Sequence, residues 1–358
     1  MLITEALKLL EGDPVEKRTA LERVQAQFSV EEITPAVLET TRQEPTQSQI
    51  MASQLKQYQS LSLRAKVTLS KKKIQQWLDH WDDQCYVAFS GGKDSTVLLD
   101  LVWSINPRIP AVFVDTGLEY PEIREFVKSY GDRVVWLKPK MPFNQVIEKY
   151  GYPVISKEQS QFISEARNSK SIKLIATRLY GNKANRGKVS KKWDKVLTAP
   201  FNVSHKCCDI MKKNPSKKYE NDTGRAPIIG TMACESQLRL QKYKASGCNS
   251  FDGKRPTSQP LSFWHDYDVW EYLKENDVPY SKIYDMGEKR TGCMFCMFGV
   301  HLEEGANRFQ RMKIHHPKQW DYCINTLGLG DVLDFIGVKY VPDGIQCDML
   351  DDKYNEIV

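Results

Sequence analysis

The sequence predicts an α/β fold, a doubly wound and mostly parallel sheet with a helical N-terminal extension and a mixed C-terminal segment. Three observations lead to this prediction. Short apolar runs alternate with helical patterns from residue 85 onward, which is typical of a parallel sheet covered on both faces. Two of these runs end in glycine-containing turns, at the strand ends where ligands of such sheets bind. The chain has 358 residues, of which 41% are hydrophobic, so it can bury a sizeable core.

Residues 1–80 form the predicted helical extension. Their apolar side chains recur at helical spacing, and Pro14 and Pro35 stand where helices would start. We interpret the polar stretches 40–48 and 68–73 as linkers and expect this extension to make few contacts of its own. Residues 81–300 form the predicted ligand-binding domain, and residues 301–358 form a C-terminal helical segment.

Within the domain we predict four strands and five helix starts. The strands are 86–89, 111–114, 134–137 and 226–230. The helices begin at Asp94, Pro121, Phe143, Cys207 and Glu235.

The turn after the first strand is the most informative segment. It reads SGGKDS and consists of Ser90, Gly91, Gly92, Lys93, Asp94 and Ser95. The glycines allow a sharp turn, and the helix that follows begins with unpaired N–H groups and a positive dipole end that suit an anion. The spacing excludes the GxxxxGK[ST] loop of kinases and GTPases as well as the dinucleotide GxGxxG motif. An ordinary strand-turn-helix junction is the alternative interpretation.

This segment resembles the PP-loop of the adenine-nucleotide alpha-hydrolases, which bind ATP or an adenylyl sulfate. The resemblance implies that residues Ser90 to Ser95 bind phosphate. It also implies that Lys93 and Asp94 are catalytic, and that Asp94 contacts Mg²⁺.

Two further segments resemble the phosphoadenylyl-sulfate (PAPS) reductase branch of that family. Asp115, Thr116 and Gly117 follow the second strand, and the resemblance places this turn near the adenosine. Gly230 precedes an E-S-x-x-R helix in which Glu235 and Arg239 share one face, where they could pair or bind a phosphate.

Met232 departs from this pattern. The reductases of this branch usually carry an arginine at its position, two residues after the glycine. An arginine binds sulfate or phosphate through a fork of hydrogen bonds that methionine cannot make.

The nine cysteines are odd in number and include an adjacent pair and a CxxC, which indicates thiols of a reducing compartment. Cys207, Cys208, Cys293 and Cys296 resemble the CC…CxxC arrangement that holds a [4Fe–4S] cluster in assimilatory adenylyl-sulfate reductases. A Cys₄ zinc site and a CxxC redox couple are the alternatives.

The net charge of +6 hides an asymmetry, since residues 167–218 hold 15 Lys or Arg against Asp194 and Asp209. Such a basic stretch favours a polyanionic partner such as nucleic acid, or a nucleotide phosphate with its surroundings, although a solvated lysine-rich surface is an equal alternative. The histidine-bearing segment 298–317 could contact nucleic acid or lie at the mouth of the active site, and a solvent-facing helix with capping histidines is an equal alternative. No apolar run reaches the length of a membrane span, and the first residues carry no basic leader, so we expect a cytoplasmic protein without a membrane partner.

The combined resemblance implies an enzyme, an ATP pyrophosphatase similar to the iron–sulfur PP-loop protein of DNA phosphorothioation systems. It would use ATP and Mg²⁺ to adenylate a nucleic acid, and a sulfur-donor partner such as a cysteine desulfurase would complete sulfur insertion. RNA thiolation, a homo-oligomer and a non-catalytic nucleotide sensor stay open.

An adenylyl-sulfate or PAPS reductase that produces sulfite is the alternative enzyme. It requires a reactive cysteine near the C-terminus, and Cys347 is followed by Asp348, whose charge would raise the thiol pKa.

Overall fold

A computed structural model describes residues 46–253 and 255–342. The chain divides into two compact units, Met1–Ile50 and Met51–Val358. In the first unit the described residues are 46–50, so most of the predicted N-terminal extension lies outside the described residues. The same holds for Cys347 and Asp348. The domain boundaries predicted at residues 80 and 300 stay predictions.

The described chain contains eight strands and thirteen α-helices. The strands are β1 Cys85–Ala88, β2 Ala111–Val114, β3 Val134–Leu137, β4 Val154–Ile155, β5 Ala226–Ile229, β6 Asn249–Ser250, β7 Thr257–Ser258 and β8 Met297–Phe298. The helices are α1 Gln47–Gln59, α2 Leu63–His80, α3 Lys93–Trp103, α4 Pro121–Lys128, α5 Phe143–Tyr150, α6 Lys157–Asn168, α7 Ile172–Tyr180, α8 Asn214–Thr223, α9 Gln237–Ser246, α10 Asp266–Glu275, α11 Arg308–His315, α12 Pro317–Asp321 and α13 Leu329–Ile336. Short stretches of 3₁₀ or π helix lie between them, among them Lys191–Thr198, Asp209–Lys213, Ala233–Glu235 and Val300–Leu302.

Six strands form one sheet in the order β3-β2-β1-β5-β7-β6, parallel except for the edge strand β6. The strand order reverses between β1 and β5, which is where ligands bind in open α/β sheets. A second, two-stranded sheet pairs β4 with β8 in parallel and so holds the chain directly after Cys296. The predicted α/β fold with a mostly parallel sheet is confirmed.

The four predicted strands are confirmed to within one residue at each end. Helices α3, α4 and α5 begin at or next to the predicted residues, and the chain turns helical at Cys207 as predicted. The start at Glu235 is off by two residues, because a 3₁₀ turn precedes α9, whose N-cap is Ser236. Strands of two residues, such as β4 and β8, carry too little periodic pattern to be predicted.

The linker predicted at 68–73 is wrong, because these residues lie inside helix α2. Thr68 and Lys72 are exposed, but Ser70 is not. Ser70 is fully buried and its hydroxyl donates to the Pro260 carbonyl at 2.9 Å. The same face of α2 buries Ile74, Trp77 and Leu78 in its next turns, so this helix belongs to the core and does not stand apart from it.

None of the helices in the described ranges combines the length and the apolar character that crossing a membrane requires.

Candidate functional site

The SGGKDS turn connects β1 to α3, as the pattern predicts. Gly91 has a φ of +71°, and a Cβ there would lie 2.7 Å from Val127 Cγ2. Both the backbone conformation and the lack of space therefore require glycine at this position. Inside the turn, the Ser95 hydroxyl donates to the Gly92 carbonyl at 2.8 Å and accepts from the Ser90 amide at 3.1 Å.

Two side chains that the motif did not indicate cover the first turn of α3. The Lys93 amide donates to the Tyr284 hydroxyl at 2.8 Å. A Cβ on Gly92 would lie 2.5 Å from Thr291 Oγ1, so this loop passes very close to the PP-loop. An anion bound at this helix end would therefore meet two hydroxyl groups besides the backbone amides.

The Lys93 ammonium is buried and pairs with two carboxylates. It lies 2.9 Å from Asp94 Oδ1 and forms a short hydrogen bond with Asp266. Burial opposes the charged form, but Asp94 and Asp266 outweigh it and raise the pKa of Lys93 above its usual value. The Lys93 ammonium thus stays charged between two carboxylates. The contribution of Asp266, which lies on a distant helix, was not predicted from the sequence.

Gly230 lies against the same turn from the side of β5. A Cβ there would be 2.9 Å from the Asp94 carbonyl oxygen, so glycine permits the close approach of β5 to α3. Glu235 and Arg239 form an ion pair with each other, and Glu235 also accepts from the Met232 amide at 2.8 Å. The sequence left open whether these two residues pair with each other or bind a phosphate, and the structure shows them paired.

The Asp115-Thr116-Gly117 turn follows β2 and contacts the cysteine loop. Asp115 is buried and accepts from Arg124 Nη2 at 2.9 Å, while Thr116 donates to Glu119. At the end of this turn the Leu118 carbonyl accepts from the Met294 amide at 2.8 Å, so the second signature holds the loop between Cys293 and Cys296.

The four cysteines predicted as ligands lie together. Cys207, Cys208, Cys293 and Cys296 line one small cavity, the cysteine cavity, although 85 residues separate the two pairs along the chain. The eight described cysteines are free thiols. Within 46–253 and 255–342, as the side chains stand, no group of three or more His, Cys, Asp or Glu is placed to hold a metal ion.

The charge on these thiols depends on Lys212. Burial raises the pKa of Cys293, whereas the Lys212 ammonium, which hydrogen-bonds this sulfur, lowers it. Burial and the Cys293 sulfur raise the pKa of Cys296 to about 11, against the opposing effect of Arg308. The cavity therefore disfavours bare thiolates and suits thiolates whose charge a bound cation or metal centre offsets.

Lys212 also joins the two halves of the site. It lines the cysteine cavity and a second cavity of about 130 Å³, the inner cavity, whose walls include Ser90, Glu119 and Thr291. Its Nζ lies 3.8 Å from Glu119 Oε1. The PP-loop and the cysteines are thus neighbours that share one lysine.

The residues present fit an iron–sulfur cluster in the chemistry of their donors, since four thiolates complete the ligand set of a [4Fe–4S] cluster. In the sequence Lys212 is one of several basic neighbours of the cysteines that could offset the charge of a cluster, and its spacing of four from Cys208 on a helical stretch supports that role. Its contact with the cavity beside the PP-loop was not predicted. Tyr284 and Thr291 carry no comparable signal.

Comparisons with known proteins indicate the family of the part of the chain that contains this site. Residues 84–155 and 154–298 match the family model described as "Phosphoadenosine phosphosulfate reductase domain". An uncharacterized protein of Methanocaldococcus jannaschii is 28% identical over 251 residues, which are 67% of this chain and 41% of that protein. An adenosine 5'-phosphosulfate reductase of Staphylococcus haemolyticus is 25% identical over 236 residues, which are 63% of this chain and 75% of that reductase.

Among solved structures, the phosphoadenylyl-sulfate reductase of Candida auris aligns with a TM-score of 0.37 and 18% identity, over 65% of this chain and 96% of that chain. The chain spans less than half the length of the two Methanocaldococcus jannaschii relatives that it matches. The family match covers the PP-loop, both later signatures and all four clustered cysteines. The chain therefore belongs to the phosphoadenosine phosphosulfate reductase family.

Proposed function

We propose that this protein is an ATP pyrophosphatase with a [4Fe–4S] cluster that activates nucleic acid for sulfur insertion, as in DNA phosphorothioation. The observation that carries the proposal is Lys212, which lines both the inner cavity beside the PP-loop and the cysteine cavity. A nucleotide in the first cavity and a sulfur-binding centre in the second would be adjacent.

The nucleotide half of the reaction follows from the PP-loop. An acceptor oxygen forms a bond to the α-phosphorus of ATP, the bridging P–O bond to the β-phosphate breaks, and pyrophosphate leaves with the electron pair. A phosphodiester oxygen is already ionised at neutral pH, so this step releases no proton. Lys93 and the first amides of α3 would neutralise the phosphate charge that moves onto pyrophosphate. Asp94 would contact the Mg²⁺ that accompanies the triphosphate.

In the second half, a donor protein such as a cysteine desulfurase supplies sulfur as a persulfide, and a dithiol reductant releases it as sulfide while becoming a disulfide. The sulfur bonds to the activated acceptor atom, and AMP leaves with the oxygen. Cys207, Cys208, Cys293 and Cys296 would hold the cluster, and Lys212 would offset the negative charge of the thiolates. When bound, such a cluster supplies a redox-active iron centre beside the nucleotide. Free thiols at the described cysteines suit a reducing compartment, and we place the reaction in the cytoplasm.

The nucleotide assignment is tested with anaerobically purified protein and radiolabelled ATP. We expect pyrophosphate release that rises on addition of DNA or tRNA, and the preferred acceptor identifies the substrate. No release under any of these conditions would contradict the enzyme and favour a nucleotide-sensing protein.

The cluster assignment is tested by iron and sulfide analysis of a matched pair of cysteine variants. Cys293→Ser should lose most of the bound iron, because it removes one of four ligands. Cys234→Ser should keep it, since Cys234 is exposed and does not line the cysteine cavity. Zinc without iron in the wild type would contradict the cluster.

A sulfonucleotide reductase is the second candidate, and the named adenosine 5'-phosphosulfate reductases among the relatives favour it. Met232 speaks against it, because it is 2% exposed and packs into the core where such reductases usually place an arginine. Sulfite production from adenylyl sulfate and thioredoxin, lost in Cys347→Ser, would establish the reductase instead.

A further inference from the structure

Part of the basic stretch noted in the sequence is exposed on α7 and on the segments that follow it. We define the basic face as Lys170, Lys173, Lys183, Arg186, Lys191 and Lys192, all of which are exposed. None of the six forms an ion pair with a carboxylate of the described residues, whereas Arg178 of the same stretch pairs with Glu165 at 2.6 Å. The charge of this face is therefore not neutralised within the protein.

Large apolar side chains lie exposed among these cations. Helix α7 buries none of its residues, and its two ends carry Ile172, which is 83% exposed, and Tyr180, which is 77% exposed. Arg178 nevertheless holds the helix in place, because it pairs with Glu165 on α6 and lies over the Phe162 ring at 4.2 Å. An exposed tyrosine among unpaired cations is the combination that binds single-stranded nucleic acid, through base stacking and phosphate contacts.

The basic face is continuous with the mouth of the functional site. Trp193 follows Lys192 and packs edge-on against His301, with 5.0 Å between ring centroids. The next residue, Leu302, lines a cavity of about 530 Å³, the front cavity, which Cys293 also lines.

The front cavity reaches both halves of the proposed reaction. Its walls include Cys293 of the cysteine cavity and Thr291, which lies against the PP-loop at Gly92. Its volume falls within the range of small-ligand sites, roughly 300–1,000 Å³. The guanidinium groups of Arg308 and Arg311 in its wall are already paired with Glu303 and Glu288. Lys289 in the same wall is exposed and forms no ion pair within the described residues, so it adds one cation to those of the basic face. Residues 302–311 lie beyond the family match, which ends at residue 298.

We propose that the basic face binds the backbone of a single-stranded nucleic acid and that the path over Trp193 and Leu302 brings one of its nucleotides into the front cavity. The inference rests on the proposed function, because it says where the nucleic-acid substrate of that reaction binds. It does not require turnover, since binding is measured without ATP.

The test is fluorescence anisotropy with a labelled single-stranded oligonucleotide of about 20 nucleotides, which covers more than one binding unit. The double variant Lys191→Glu/Lys192→Glu is compared with Arg64→Glu/Lys72→Glu on α2, which makes the same charge change at exposed residues outside the basic face. We expect the first to weaken Kd about tenfold or more and to reduce the slope of log K against log salt by about 1.4, or about 0.7 for each lost phosphate contact. The control should change Kd less than twofold.

A second pair of variants tests stacking apart from charge. Tyr180→Ala should weaken Kd about fivefold or more, because a stacked base contributes about 1–3 kcal/mol, whereas Tyr180→Phe keeps the ring and should bind as the wild type does. Equal loss in both charge variants, or no loss in the Lys191 and Lys192 variant, overturns the inference. So does binding of this face to phosphatidylserine vesicles without any effect on oligonucleotide binding.

These outcomes separate the two proposals. Nucleic-acid-stimulated pyrophosphate release that survives Lys191→Glu/Lys192→Glu would leave the proposed function standing and overturn the basic face. If the protein releases no pyrophosphate but this variant loses oligonucleotide binding, the basic face stands and the proposed function is overturned.

Discussion

Gly91 and Gly117 both take a left-handed backbone conformation, with φ of +71° and +76°, but their surroundings differ. A Cβ on Gly91 would collide with Val127 and Ile123 of α4, while a Cβ on Gly117 would meet no atom within 4 Å. Gly91 is thus required by its backbone conformation and by its close neighbours, whereas Gly117 is required by its backbone conformation alone.

Gly91→Ala should destabilise the fold more than Gly117→Ala does. Each substitution costs about 1–2 kcal/mol for the left-handed backbone. Gly91→Ala adds an overpacking cost of about 1–3 kcal/mol against α4. Urea denaturation measures both free energies of unfolding, and equal losses in the two variants would show that the contact with α4 relaxes freely.

Lys93 is the cation of the PP-loop, and its two carboxylate partners keep it charged at neutral pH. Under the proposed function, Lys93→Ala should reduce pyrophosphate release about 10²–10³-fold, the usual effect of removing one preorganised electrostatic group. Lys72→Ala on α2 is the control, because Lys72 is exposed and distant in sequence from every site residue. Steady-state release of labelled pyrophosphate measures the effect, and wild-type rates in Lys93→Ala would exclude this role.

Helix α2 is joined to α10 by a buried ion pair. Lys66 Nζ lies 2.7 Å from Asp268 Oδ2, and both side chains are at most 3% exposed. Asp268 also accepts from the His265 amide at 2.7 Å at the start of α10. Because α10 carries Asp266, the partner of Lys93, this pair connects the helix before the sheet to the functional site.

Lys66→Met should cost about 3–5 kcal/mol, because it leaves a buried carboxylate without its cation. Adding Asp268→Asn should recover much of that loss, since the amide is neutral and its oxygen can still accept from His265. Chemical denaturation of the two variants measures the difference. A double variant no more stable than Lys66→Met would show that the ion pair itself, and not the unpaired charge, determines the stability of this contact.

At the scale of the whole molecule, the segment after the family domain completes the core. Phe309 of α11 and Leu329 and Leu333 of α13 are fully buried, and His316 between these helices is 7% exposed. Burial lowers the pKa of His316, although Glu122 at 3.5 Å opposes the shift. The other charged groups acting on it are His315, which lowers the pKa further, and Glu288, which raises it.

A histidine whose pKa is lowered on folding binds fewer protons in the folded state than in the unfolded state. Its contribution to stability is therefore complete above its unfolded pKa of about 6.5 and is lost as the pH falls through that value. We expect the free energy of unfolding to decrease between about pH 7.5 and about pH 5.5, a window above the titration of ordinary carboxylates. His316→Gln should reduce this dependence, whereas His315→Gln should reduce it less, because it removes only one contribution to the shift. Equal pH dependence in the wild type and His316→Gln would contradict the assignment.

The strands, most helix starts and the PP-loop could be predicted because their causes are local. Apolar periodicity, a proline at the first position of α4 and the glycines of a tight turn act through residues adjacent in the chain. The linker at 68–73 was predicted wrongly for the converse reason. Polar residues look solvated in a sequence, whereas Lys66 and Ser70 find buried partners 202 and 190 residues away.

By itself the sequence determined the parallel α/β fold, the glycine-rich turn after the first strand and the two cysteine pairs. Only the tertiary structure decided what each polar side chain contacts. Lys93 meets Asp266 and Tyr284, which are 173 and 191 residues away, and Lys212 meets the sulfur of Cys293. The physical reason is that secondary structure follows from neighbouring residues, whereas hydrogen-bond and ion-pair partners depend on which distant segments the packed core brings within a few ångströms.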